Sequence, residues 1–99
     1  MIALVSLYDA RDPESFESAY GPDGEWAQFF RGARGYVGTE LLRDVEETGR
    51  YVVIDRWESS DTYNDFVDAH RDEYMRREDE MTFHYVQELR FGTFESAPV

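Results

Sequence analysis

The chain has no cysteine and no lysine, and each absence removes a class of chemistry. Without thiols there are no disulfides, no thiol nucleophile and no thiolate metal site. Without a lysine amine there is no Schiff base and no lysine nucleophile. Basic charge is scarce: ten arginines face 22 acidic residues, for a net charge of −12. That balance argues against nucleic acid and anionic membrane surfaces as partners. It reads as a solvated acidic surface. Long apolar runs are missing too. Met1 to Leu7 is too short for a signal segment, lacks a basic start and runs into Asp9, Arg11 and Asp12. No stretch approaches the length needed to cross a bilayer. The expectation is a soluble, cytoplasmic protein.

What is abundant is aromatic. Seven Phe, seven Tyr and two Trp make up 16% of 99 residues. Such a content suits either a dense core or a cavity for a flat ligand. The length fits one domain, residues 1–99 with a core of about 2–94. There is no linker, repeat or low-complexity tract.

Periodicity gives the order of elements. Ile2 to Tyr8 is a strand with apolar residues on both faces. Asp12-Pro13 starts a helix, with Asp as N-cap and Pro in the first turn. Gly21 to Gly24 interrupts it, and a second helical piece carries Trp26, Ala27, Phe29 and Phe30 as far as Gly32. Gly35 to Arg43 and the segment from Arg50 to Trp57 read as strands joined by the polar loop Asp44 to Gly49. Val52, Val53 and Ile54 again make both faces apolar. Ser59 or Ser60 caps a helix whose apolar face is Tyr63, Phe66, Val67, His70 and Tyr74. Arg76 to Glu80 closes that helix as a charged, solvated end. Phe83 to Phe94 is the last strand, and Glu95 to Val99 a tail. The order β-α-β-β-α-β predicts an α+β, ferredoxin-like fold with a four-stranded antiparallel sheet. Strands one and three should be central, with helices on one face. The other, greasy face should then bury against a second copy.

Three runs carry a resemblance: Gly38-Thr39-Glu40-Leu41-Leu42-Arg43-Asp44, Arg50 to Ser59 through Trp57, and Tyr63, Phe66, His70 and Tyr74 with a closing Gly92-Thr93-Phe94. Together they resemble the antibiotic biosynthesis monooxygenase domain, best over residues 35–75. The resemblance implies a dimeric α/β barrel with a cavity between sheet and helices in each subunit. Some members oxidise aromatic polyketides or quinols with O2 and no metal or flavin; some degrade haem; others have no known activity. Haem-degrading members use an Asn on strand one and a Trp and a His on the second helix. Here Ser6, Phe66 and Arg76 stand at the matching places, so haem degradation ranks below the cofactor-free oxygenase.

Several side chains on these elements are candidates for chemistry. His70 is the candidate general base, since imidazole exchanges protons near neutral pH. A phenolate so formed can pass an electron to O2. Trp57 is the candidate for stacking on the ring or stabilising a radical. Tyr51, Tyr63, Phe66, Tyr74, Phe83 and Tyr85 are the candidate substrate wall, although a packed core would look the same. Asp55 is unexpected in mid-strand. It either pairs with Arg43 or Arg90 on a neighbouring strand or serves as a functional carboxylate. His84 reads as an edge residue. No metal site is expected: His70 and Glu73 have usable spacing, but Glu73 lies toward the acidic face. Gly32, Gly35 and Gly38 fit turn geometry rather than a phosphate loop. The reading is a cofactor-independent monooxygenase acting on a small phenolic or quinol-like aromatic, as a homodimer. A non-catalytic dimeric ligand-binding domain and cyclase-type chemistry stand beside it.

Overall fold

The computed structural model describes residues 1–97, so Pro98 and Val99 of the expected tail lie outside the described residues. The strands are β1 (Ile2–Ala10), β2 (Tyr36–Arg43), β3 (Arg50–Trp57) and β4 (Tyr85–Glu95). They form one antiparallel sheet in the order β2-β3-β1-β4. The two strands that are apolar on both faces are central, as expected. Helices α1 (Pro13–Tyr20) and α2 (Glu25–Phe30) cross from β1 to β2, and α3 (Ser60–Ala69) and α4 (Arg71–Met81) cross from β3 to β4. No helix among the described residues is long and apolar enough to cross a membrane.

Local chemistry sets the helix starts. The Asp12 carboxylate accepts from the Ser15 amide at 3.1 Å, with Pro13 in the first turn. Ser59 and Thr62 form a reciprocal capping box at α3. Gly35, at φ +88°, passes so close beneath α3 that a Cβ there would lie 2.5 Å from Thr62. The chain therefore enters β2 in direct contact with α3.

Four expectations need correcting. The helix expected from Ser60 through the charged run is two helices, broken at His70. There the imidazole Nδ1 lies 3.1 Å from the Phe66 carbonyl, so the side chain competes for a carbonyl the helix ladder uses. The last strand begins at Tyr85 rather than Phe83, because Thr82–His84 forms a short 3-10 turn. That turn buries His84, expected at an edge, and places its Nδ1 3.0 Å from Ser15 Oγ. Asp55 pairs with neither Arg43 nor Arg90: Arg43 forms a bidentate bridge to Glu17, and Arg90 bridges Glu78 and Glu88.

The register explains where the sheet packs tightly and where it does not. On the helix side, Tyr51 and Tyr8 are paired at one level, while Trp57 and Ile2 are paired near the other end. Each level anchors a core cluster. Tyr8, Phe16, Tyr20 and Tyr51 form one; Ile2, Phe30 and Trp57 form the other. Between them the paired residues are shorter: Thr39, Asp55, Leu4 and Thr93 in one row, and Val53 with Ser6 in the next. Large rings at both levels hold the helices off this middle band, which leaves a space. On the opposite side of the sheet, Val52, Ile54, Leu42, Leu7, Leu89 and Phe94 form an uncovered apolar surface.

Candidate functional site

The space is a cavity of about 150 Å³. Its floor is the band of short side chains, Ser6, Thr39, Val53 and Asp55. Its roof is aromatic: Tyr20 from α1, Trp26 and Phe30 from α2, Tyr63 from α3 and Tyr74 from α4. Trp26 packs against both core clusters and on Tyr74, with ring centroids 5.3 Å apart, so the roof is one connected aromatic layer. Arg90 also lines the cavity while its side chain is largely exposed, which marks where the space reaches solvent. At that side the Arg90–Glu78 pair, 3.0 Å, joins β4 to α4. The strand is irregular there: Phe91 is skipped in the pairing to β1 and Gly92 has φ +136°.

The polar groups divide by what they can do. The Tyr63 and Tyr74 hydroxyls lie 3.1 Å apart in the roof. Burial raises the pKa of both, as it does for Tyr8 and Tyr20, so these phenols stay protonated and act as hydrogen-bonding groups rather than bases. Tyr8 donates to Glu88 at 2.8 Å, and Tyr85 lies 3.4 Å from the same carboxylate. Among the described residues, Asp55 is held only by the Thr39 hydroxyl, at 2.6 Å. Burial raises its pKa from 3.8 to about 6, against the smaller opposing pull of that hydrogen bond. Among the described residues, no three or more His, Asp or Glu are grouped to hold a metal ion.

The sequence candidates separate cleanly. Tyr63, Tyr74 and Tyr85 line the cavity. Trp57 has no solvent exposure and lies behind the wall, with the Phe30 and Tyr63 rings 5.4 and 5.3 Å from its own; its Nε1 is buried without a partner among the described residues. Phe66 packs on Trp57 with ring centroids 5.8 Å apart and lines a second, more open groove with Phe29 and His70. His70 is exposed at the helix break, stacked on Phe66 at 4.4 Å, and is not part of the cavity wall. Tyr51 turns its hydroxyl to Glu17, and Phe83 is exposed beside His84. Sequence reasoning misses Thr39, Trp26, Glu78 and Glu88 as site residues. A charged residue in the middle of a central strand is the available signal for Asp55.

Comparison with known proteins gives a consistent picture. Residues 25–80 match the sequence profile of the antibiotic biosynthesis monooxygenases. Among solved structures, SnoaB from Streptomyces nogalater, a cofactor-independent oxygenase, superposes with a TM-score of 0.79 at 20% identity, covering 99% of this chain and 94% of its own. A Deinococcus radiodurans protein provisionally assigned to the same monooxygenases has a TM-score of 0.75 at 11% identity, covering 100% and 95%. A dimeric ferredoxin-like protein from an uncultured marine organism gives 0.63 at 11% identity, covering 99% and 90%. No curated protein sequence matches.

Proposed function

The chain belongs to the antibiotic biosynthesis monooxygenase family, and from that premise we propose that it oxidises a small phenolic or quinol-like aromatic with O2 inside the cavity. The observation that carries this is the ring-lined space between sheet and helices, with hydroxyl and carboxylate groups converging on it. A space of about 150 Å³ is of the order that admits a single benzene ring, so the substrate is ring-sized or inserts one ring from a larger body. Tyr63, Tyr74 and Tyr85 are the wall residues that meet its oxygens.

The reaction balances without a cofactor when the ring supplies every electron. A phenol that loses its hydroxyl proton becomes an electron-rich phenolate. Transfer of one electron to O2 and recombination at the para carbon give a hydroperoxide. Loss of water from it leaves a quinone. One oxygen atom ends in the new carbonyl and the other in water, which also carries away the hydroxyl and ring hydrogens. The protein's part is to hold the ring, take the proton and exclude bulk water.

The protein in this reading is a homodimer. The uncovered apolar face of the sheet supports that, as does the dimeric state of the marine relative. The experiment for the activity is oxygen uptake with a panel of one- and two-ring phenols and hydroquinones, without added metal or flavin. Consumption of O2 matched to quinone formation is expected. Panel members that bind without consuming O2 would make this a ligand-binding domain instead.

A further inference from the structure

Three carboxylates line the cavity, and two are already engaged. Glu78 is paired to Arg90 at 3.0 Å. Glu88 accepts from Tyr8 at 2.8 Å and lies 3.5 Å from Arg90 Nε. Asp55 has no cationic partner among the described residues, and Thr39 Oγ1 is its one donor there, 2.6 Å from Oδ1. The same Thr39 oxygen lies 2.6 Å from the Tyr36 hydroxyl. A threonine has a single hydroxyl proton. With that proton committed to Asp55, the Tyr36 hydroxyl donates to Thr39. The short chain Tyr36, Thr39, Asp55 therefore engages one carboxylate oxygen of this cavity-lining residue, and the other oxygen has no hydrogen-bond partner among the described residues.

We propose that Asp55 accepts the hydroxyl proton of a neutral, ring-sized phenol bound in the cavity, and that Thr39, backed by Tyr36, is the residue that positions it. The phenol O–H bond breaks, a bond from the proton to the free Asp55 oxygen forms, and the electron pair stays on the phenolate oxygen. The later attack of O2 on that phenolate rests on the oxygenase reading; the proton transfer does not. Neutral phenols fit better than carboxylate- or sulfate-bearing ones, because three cavity carboxylates face a single arginine.

The surroundings leave Asp55 as the available acceptor. The titratable and charged groups on the packed elements are Tyr36 of β2, Tyr20 of α1, Tyr63 of α3, Tyr74 and Glu78 of α4, Tyr8 of β1, and Tyr85, Glu88 and Arg90 of β4. All six tyrosines are held protonated, chiefly by burial. Arg90 is occupied by the two glutamates. Burial without a counter-charge brings the Asp55 carboxyl up to about 6, so it is ionised and basic near neutral pH.

The test uses 4-nitrophenol, a one-ring phenol whose ionisation is visible by absorbance, with the purified full chain. Bound to wild type, its ionisation is displaced to higher pH than in free solution, because ionised Asp55 opposes a phenolate beside it. Asp55→Asn removes that displacement, a change of about one pH unit or more, while the probe still binds. Thr39→Val also binds the probe but moves the Asp55-dependent step upward in pH, and Thr39→Ser restores it. Identical probe titrations in wild type and Asp55→Asn would overturn the assignment, and so would no binding at millimolar probe. If the titrations differ as stated and the oxygen electrode records nothing for any phenol, the proton site stands and the oxygenase reading falls.

Discussion

Replacing Asp55 by Asn should stabilise the folded protein, and only above the pH at which the carboxyl ionises. The folded-state pKa is raised from 3.8 to about 6 because burial disfavours the charged form. Below about pH 4 the carboxyl is protonated in both folded and unfolded chains and costs nothing. Between about 4 and 6 the unfolded chain ionises first, so the wild type loses stability as pH rises. Above the folded pKa that loss is complete. At ~1.4 kcal/mol per pH unit, the displacement corresponds to at most about 3 kcal/mol. Asn has nearly the same shape, and its carbonyl can still accept from Thr39. Thermal melts of the ligand-free variant should therefore run above wild type near pH 7.5, by up to roughly 10–20 °C, and coincide with it near pH 4. A difference of the same size at both pH values would show that Asp55 carries no desolvation cost and no raised proton affinity.

Other consequences can be checked alongside. Phe16 has no solvent exposure and stacks between Tyr20 at 4.4 Å and Tyr51 at 4.9 Å, so Phe16→Ala should cost about 3–5 kcal/mol by urea denaturation. Gly35→Ala meets both a positive φ and the Thr62 side chain, and a loss of about 2 kcal/mol or more is expected; a neutral effect would refute the close approach of β2 to α3. Ile54→Asp places a charge in the uncovered apolar face; if the proposed homodimer forms through that face, sedimentation should show a dimer for wild type and a folded monomer for the variant.

The sequence made the scaffold legible because periodicity and caps report directly on backbone geometry. Doubly apolar runs marked β1 and β3 as central, and Asp12-Pro13 and Ser59 marked two helix starts. The site was less legible, since aromatic spacing is the same whether a ring lines a cavity or fills a core. Trp57 and Phe66 share a pattern with Tyr63 and Tyr74, yet only the latter pair reaches the open space. His70 sits on the expected helical repeat, but the break at its own position turns it outward. Which carboxylate stays unpaired depends on contacts between β4, α4 and β1 that are remote in sequence; Tyr8 and Glu88 are 80 residues apart.

The central claim is that the cavity is where a phenolic ring meets O2 and gives up its electrons. Mass spectrometry of the product after turnover of an active phenol under isotopically heavy dioxygen tests it most directly. One heavy oxygen atom in a quinone product is expected, with formation lost in a cavity-filling Ser6→Phe variant that remains folded. A product that draws its new oxygen from water, or turnover undiminished by blocking the cavity, would contradict the account.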